Sequence, residues 1–239
     1  MSTEFDYLWE GGPLMKQCFH FKLGTDSVLL GSFAEAKGAL QGVDLGCCTG
    51  VLSLLLLCRN PALHMTGIEI DGAASEIARS NMEINGLSGR SEILNADIRD
   101  YKNLLPAGKF DIAISNPPYF TSQSGDISPD ARRAAARGEV SCTLEDIISA
   151  ASYLLRWDGK FFMVHRPERL VDIFNAMRSG GIEPKRIRFV AHRCGLKPSL
   201  VLIEGRRGGK PSLIVQDMLY ITDESGAETC EIKEIYHRS

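Results

Sequence analysis

An α/β fold, doubly wound around a mostly parallel sheet of seven strands with helices on both faces, is what the 239-residue sequence predicts. Two observations carry the prediction. Beyond about residue 40, short β-type runs alternate with helical patterns of roughly 10 to 15 residues, the arrangement by which crossover helices cover both faces of a parallel sheet. Glycines and acidic side chains then stand just after the strand-like runs, and in open α/β sheets ligands bind outside the carboxyl ends of the strands, where strand order reverses.

The elements follow in order. Gln17 to Phe33 reads as a turn, an N-cap at Thr25 or Asp26, and a short apolar helix feeding the first strand. That strand is Gly42-Val43-Asp44-Leu45-Gly46, and Val51 to Arg59 after it is a buried helix. His64 to Ile70 is the second strand. Ala73 to Ile84 has helical spacing (Ile77, Ala78, Met82) and is closed by Asn85-Gly86, a C-cap signal. Ser91 to Asn95 is the third strand and Phe110 to Ser115 the fourth. Leu144 to Leu155 is an amphipathic helix, started by Thr143 with Asp146 three residues on, an acidic variant of the capping box. Phe161 to His165 is the fifth strand. Pro167 to Met177 is a helix with proline in its first turn, ended by Gly180-Gly181. Strands at Arg186 to Ala191 and Leu200 to Glu204 complete the core.

At 44% hydrophobic the chain is long enough to bury a full core, and no linker divides it. We therefore expect one domain over 1–239, with an N-terminal extension (1–40), a core (41–205) and a C-terminal extension (206–239). No stretch approaches the roughly 20 apolar residues of a membrane span. The opening MSTEFDYLWEGG has no basic region followed by an apolar one, so no secretory signal is expected and the cytosol is the expected compartment. Seven cysteines, at 18, 47, 48, 58, 142, 194 and 230, form no CxxC pair and no Cys/His set at zinc spacing. Reduced thiols and no metal follow. Vicinal Cys47-Cys48 reads as small packing residues at a tight turn.

The net charge of -3 argues against a generic nucleic-acid-binding protein. Its distribution qualifies that. Ala131 to Lys210 holds 16 Lys and Arg against 8 Asp and Glu. Half of these cations (Lys185, Arg186, Arg188, Arg193, Lys197, Arg206, Arg207, Lys210) lie in the run 185–210, where Glu204 is the only acid. This is either a solvated basic face or a polyanion site.

The first strand ends in Asp44-Leu45-Gly46-Cys47-Cys48-Thr49-Gly50, a glycine turn entering a helix, which lets backbone amides approach a ligand closely. Cys48 stands at the middle position of a GxGxG-type loop, so the nicotinamide fingerprint is not met. Glu69 closes the second strand, where a carboxylate can accept both hydroxyls of a ribose. Asp97 closes the third, within reach of an adenine amine. Each acid alone reads equally as an ordinary strand-end or N-cap residue. Three at successive strand ends describe a site for an adenosine without a pyrophosphate.

The fourth strand ends in Asn116-Pro117-Pro118-Tyr119. An amine conjugated to a ring or carbonyl is a poor nucleophile because its lone pair is delocalised. Two acceptors facing the NH2 group pull it toward tetrahedral geometry. The side-chain oxygen of Asn116 and the carbonyl of Pro117 can be those acceptors, held in place because proline fixes its own φ and restricts the residue before it. Tyr119 offers a flat face for a planar base or amide.

In this order, Asp44 to Gly50, Glu69, Asp97 and Asn116 to Tyr119 resemble the class I S-adenosylmethionine-dependent methyltransferases. The resemblance implies that the 46–50 loop, with Gly46, Cys48 and Gly50, holds the methionine part of S-adenosylmethionine, Glu69 its ribose, and Asp97 with Ile98 its adenine. Thr25, Asp44 and Asn116 complete the implied cofactor set, and Asn116, Pro117, Pro118 and Tyr119 are the implied catalytic residues. The family has glycine where Cys48 stands, so Cys48 is expected to hold negative φ or the loop to be remodelled.

The Asn-Pro-Pro-Tyr motif serves enzymes acting on adenine in DNA, on RNA bases, and on the glutamine amide of translation release factors. Residues 17 to 33, Val164 to Leu170, Glu183 to Arg188 and Leu202 to Gly205 are similar to the bacterial methyltransferases that modify the adenine beside the anticodon of a valine tRNA. That similarity implies a tRNA substrate and turns the basic run into candidate phosphate contacts. Arg132, Arg133 and Arg137 are further candidates, in a loop from Thr121 to Glu139 expected to order on substrate binding. A protein glutamine methyltransferase, an rRNA base methyltransferase, and an RNA-binding module on the same fold are the alternatives.

Overall fold

The computed structural model describes residues 5–16, 24–117 and 142–238. Two short strands, β1 (Phe5–Tyr7) and β2 (Leu14–Lys16), form an antiparallel hairpin ahead of the first helix, α1 (Thr25–Phe33). There follow β3 (Gln41–Leu45), α2 (Val51–Arg59), β4 (His64–Glu69), α3 (Gly72–Ile84), β5 (Ser91–Asn95), α4 (Tyr101–Leu104) and β6 (Phe110–Ser115). The later half carries α5 (Leu144–Leu154), β7 (Leu155–His165), α6 (Leu170–Ser179), β8 (Ile182–Ala191), β9 (Leu200–Arg207), β10 (Ile214–Val215), β11 (Leu219–Tyr220) and α7 (Cys230–Ile235).

The main sheet runs β5-β4-β3-β6-β7-β9-β8, with the two-residue strands β10 and β11 both on the outer edge of β8. Every pairing is parallel except those of β9, which runs against both β7 and β8. Strand order reverses between β3 and β6. This is the expected seven-stranded, doubly wound sheet, and it places the ends of β3 and β6 side by side at the switch point.

Strand residues feed two cores by alternation. Ile112, Ile114, Phe162, Val164 and Leu202 pack with Leu29, Leu30 and Phe33 of α1, with Leu54, Leu56 and Leu57 of α2, and with Ile232 of α7. Val43, Leu45, Ala113, Phe161, Met163, Val201 and Ile203 pack with α5 and α6 through Ile147, Ala151, Leu154, Ile173 and Met177. Adjacent Phe161 and Phe162 thus lie on opposite faces, as a pleat requires. Seven consecutive α2 residues, Val51 to Leu57, are buried, because α1 and the hairpin cover the side of α2 that the sheet does not.

The expected caps appear. Thr143 Oγ1 accepts from Asp146 N at 3.1 Å while Asp146 Oδ2 accepts from Thr143 N at 2.9 Å, a complete capping box. At the end of α3, Gly86 is left-handed and Leu87 N reaches back to Met82 O at 2.8 Å. The N-cap of α1, however, is Gly24 with no side-chain bond, so neither Thr25 nor Asp26 caps it. The fifth strand begins at Leu155, six residues before its apolar run. There Trp157-Asp158-Gly159 forms a bulge, with Asp158 at φ +66°, and Arg156 turns away to Asp111 at 2.6 Å. β8 likewise starts at Ile182 and accommodates Pro184 by a register shift between Pro184 and Arg186. The hairpin, α4, β10, β11 and α7 have no counterpart among the expected elements. Six of the cysteines lie in the described residues, all as free thiols.

Candidate active site

Four strand ends meet along the carboxyl edge of the sheet. The loop after β3 alternates in handedness: Gly46, Cys48 and Gly50 all have positive φ, at +77°, +49° and +82°. Cys48 therefore takes the conformation a glycine would, contrary to the expectation of negative φ. For a side-chain-bearing residue that costs roughly 1–2 kcal/mol. The cost is offset by a carboxylate, because Cys48 N donates to Glu69 Oε2 at 2.8 Å. Glu69 Oε1 accepts from Asp71 N at 2.8 Å, so the side chain assigned to a ribose is also the peg that holds the loop. Gly46 N and Cys47 N both donate to Ile68 O, and Gly50 N to Cys47 O. Cys47 is buried against Ala78 and Ile93, and Gly67 makes room for it: a Cβ there would lie 2.7 Å from Cys47 Sγ. Burial, and then the charges of Asp44 and Glu69, push its thiol well above the usual range. Of the vicinal pair, Cys47 thus has the packing role expected, while Cys48 is half-buried in the loop.

Asp44 is fully buried. Its Oδ2 accepts from Ser53 N at 3.2 Å and Ser53 Oγ at 2.9 Å, and its Oδ1 has no partner among the described residues. Burial pushes its carboxyl up to about 7, against the two Ser53 bonds, with a smaller push from the charge of Glu69. Burial also raises Glu69. An orphaned buried carboxylate oxygen beside a second desolvated carboxylate suits a ligand that brings hydroxyl donors and positive charge. S-adenosylmethionine, with an ammonium, a sulfonium and a ribose diol, fits this set.

Asp97 is tied more tightly than expected. It caps a short 3-10 turn by accepting from Arg99 N at 2.9 Å, and both its oxygens accept from Arg99 Nε, which holds its carboxyl below the usual range. Ile98 beside it is buried in the core under the loop, 3.8 Å from where a Cβ on Gly46 would stand. Thr25 is exposed at the start of α1.

At the end of β6, Ser115 Oγ donates to Leu45 O at 2.7 Å, locking this strand end to that of β3. Asn116 Nδ2 donates to Ser27 Oγ at 3.0 Å, and Pro117 is buried. The bond to Ser27 directs the amide nitrogen toward α1 and so sets the direction of the amide oxygen. Pro118 and Tyr119 lie outside the described residues, as do Arg132, Arg133, Arg137 and the whole 121–139 loop.

The profile of the methyltransferase small domain family matches residues 21–177. The chain belongs to that family. It is 38% identical over 158 residues to a Porphyromonas gingivalis protein named tRNA1(Val) (adenine(37)-N6)-methyltransferase, a match covering 64% of this chain and 61% of that protein. A Bacteroides fragilis protein of the same name is 32% identical over 182 residues, 76% of each chain. Among solved structures, an Agrobacterium tumefaciens protein described as an O-methyltransferase aligns with a TM-score of 0.71 at 24% identity, over 89% of this chain and 96% of that one. That likeness shows the fold: a Rossmann-like methyltransferase sheet.

In this methyltransferase-family chain the late basic run is not one surface. β6 and β7 carry their carboxyl ends at the candidate site, here called the cleft, and β9 runs the other way. Arg206 is paired with Glu183 at the start of β8 and with Lys160, which faces Ile112 near the start of β6, so Lys185, Arg206, Arg207 and Lys210 lie toward the end of the sheet opposite the cleft. Nor does Glu204 stand alone against the run. Arg186 is held by Glu204 at 2.6 Å and Glu35 at 3.1 Å and lies over the Phe33 ring. Arg188 pairs with Glu231 and Arg206 with Asp158. Arg207 donates to Leu155 O, and Lys185 to Lys210 O. Arg193 and Lys197 differ: they are exposed in the β8–β9 connection, at the cleft end of the sheet, with no ion-pair partner among the described residues.

Sequence reasoning missed Ser27, Ser53, Gly67 and Asn81, and read Asn85 only as part of a C-cap. Ser27 and Ser53 were visible as polar residues inside otherwise apolar helical stretches. Gly67 and Asn81 carried no such signal, since their partners lie in other segments.

Proposed function

We propose that this protein transfers a methyl group from S-adenosylmethionine to the exocyclic N6 amine of an adenine in tRNA, the adenine beside the anticodon of a valine tRNA being the specific target. One observation carries the reading: Asn116, oriented by Ser27, stands with Pro117 at the end of β6, directly beside the loop of Asp44 to Gly50 at the switch in strand order. Membership of the methyltransferase small domain family and the names of the relatives support it.

Gly46, Cys48 and Gly50 would present the loop to the methionine part, Asp44 and Glu69 would accept from its donors, and Ile98 would floor the adenine side. Bound there, S-adenosylmethionine would supply an electrophilic methyl carbon on a sulfonium that leaves as a neutral thioether. Asn116 Oδ1 and the Pro117 carbonyl accept the two amine hydrogens, which localises the lone pair before attack. The excess proton on the methylated nitrogen leaves through one of these hydrogen bonds to water, so no strong base is needed. Rate comes from positioning and from fixed dipoles. Tyr119 is proposed to stack on the base. Within the 185–210 run, Arg193 and Lys197 at the cleft rim are the cations best placed for the RNA backbone, while Arg132, Arg133 and Arg137 remain proposed contacts on sequence grounds alone.

Among the described residues no helix is long and apolar enough to cross a membrane, and no cluster of His, Cys, Asp or Glu could hold a metal. We propose a cytosolic enzyme that uses no metal. Incubation with methyl-labelled cofactor and separate pools of total tRNA, rRNA and total protein tests the reading. Label is expected in tRNA as N6-methyladenosine; label confined to protein or to rRNA overturns it.

A further inference from the structure

The hairpin is docked by two amides placed one helical turn apart, Asn81 in α3 and Asn85 at its C-cap. Asn85 Oδ1 accepts from Leu14 N at 2.9 Å and its Nδ2 donates to Leu14 O at 2.7 Å. Asn81 does the same to Lys16, at 2.6 Å from Lys16 N and 3.3 Å to Lys16 O. The spacings match, since two residues of strand span roughly 6.7 Å and four of helix about 6 Å. The pair of amides therefore acts as one more strand for β2. Asn81 does something further. Fully buried, it also donates from Nδ2 to Thr49 O at 2.9 Å, inside the loop that follows β3. That bond fixes the peptide between Thr49 and left-handed Gly50, while Met15 of β2 is buried against Val51 and Leu55 just beyond.

We propose that Asn81 is a positioning residue that couples the N-terminal hairpin to the cofactor loop, so that docking of residues 5–16 and binding of S-adenosylmethionine reinforce each other. This rests on the cofactor reading given above. Asn81 acts through the loop rather than on the ligand. The coupling is reciprocal: whatever holds the hairpin tightens the loop, and a ligand in the loop tightens the hairpin.

Two full-length variants separate the roles. Asn81→Asp, ionised, can still accept from Lys16 N but loses the donor to Thr49 O and with it the donor to Lys16 O. Asn85→Ala loosens the hairpin directly and reaches the loop only indirectly, through Asn81. In the unliganded protein, amide hydrogen exchange at 47–50 should quicken about tenfold in Asn81→Asp and only about twofold in Asn85→Ala, with exchange of β3, β4 and β6 unchanged in both as the check on folding. Calorimetry with S-adenosylhomocysteine should show affinity reduced about tenfold in Asn81→Asp. Saturation with that ligand should slow exchange of residues 5–16 in the parent protein and not in Asn81→Asp. Loop exchange equal in the two variants, or ligand protection of the hairpin that survives Asn81→Asp, overturns the coupling. If the parent protein binds no S-adenosylhomocysteine, the cofactor reading falls, and exchange of the unliganded variants still decides whether Asn81 holds the loop.

Discussion

Removing the Glu69 side chain should damage the cofactor site in two separable ways. In Glu69→Ala the amides of Cys48 and Asp71 lose a charged acceptor at 2.8 Å each, and a hydrogen bond to a charged group is worth roughly 1.5–3 kcal/mol net. Part of this returns as relief of the buried carboxylate's desolvation, so the expected loss of stability is about 2–3 kcal/mol. With Cys48 N unheld, the left-handed state of Cys48 at φ +49° is disfavoured by roughly 1–2 kcal/mol. Adding loss of the proposed ribose contact, affinity for S-adenosylhomocysteine should fall about 100-fold, near 2.7 kcal/mol. Glycine at 48 adopts positive φ freely. Cys48→Gly should therefore restore about fivefold or more in the Glu69→Ala background while changing affinity less than about threefold alone, where the bond already selects the conformation. Calorimetry on the four proteins of this double-mutant cycle measures the interaction. Additive effects would refute the argument that Glu69 holds the loop, even if Glu69→Ala itself proved severe.

Asn116→Ala should abolish turnover while S-adenosylhomocysteine affinity stays within about threefold, and Ser27→Ala should lower kcat about tenfold by releasing the amide's orientation, both read by single-turnover kinetics. Asp44 has a folded pKa raised to about 7, so the folded state binds more protons than the unfolded one between about pH 4 and 7, and its contribution to stability declines as pH rises through that window. His165, held neutral with its pKa lowered to about 4 mainly by burial, has the opposite slope between about pH 4 and 6.5. The test is therefore the difference between Asp44→Asn and the parent: the variant's Tm should gain on the parent's from pH 5 to pH 8, and parallel curves would count against it. Arg186→Ala, which strands Glu204 and uncovers Phe33, should cost about 2–4 kcal/mol by urea denaturation. Arg193→Glu with Lys197→Glu should leave stability within about 0.5 kcal/mol and weaken tRNA binding with a shallower salt dependence, whereas Lys185→Glu should leave tRNA binding unchanged.

The two basic sets show how much of the site was legible beforehand. Strand ends, the glycine loop and Asn116 could be found because each needs only its own segment: a buried run, a turn residue, and a side chain whose chemistry is visible in its type. The basic run could not be sorted by type. Lys185 and Lys197 look alike in one dimension, and only the run of β8 across the sheet puts them at opposite ends, while the antiparallel return of β9 brings Arg206 and Arg207 back to the end where Lys185 lies.

Local physics therefore determined the order of elements, the parallel sheet implied by their alternation, and the identity of the acceptors at the ends of β3, β4 and β6. Tertiary structure decided what those groups do to one another. Asn116 meets Ser27 across 89 residues of chain, Lys16 meets Asn81 across 65, and Cys48 takes its left-handed turn because Glu69, 21 residues on, is there to hold it. Backbone preference and periodicity are properties of neighbours in sequence. A strained loop and an oriented amide are instead stabilised by partners that only the packed sheet brings within hydrogen-bonding distance.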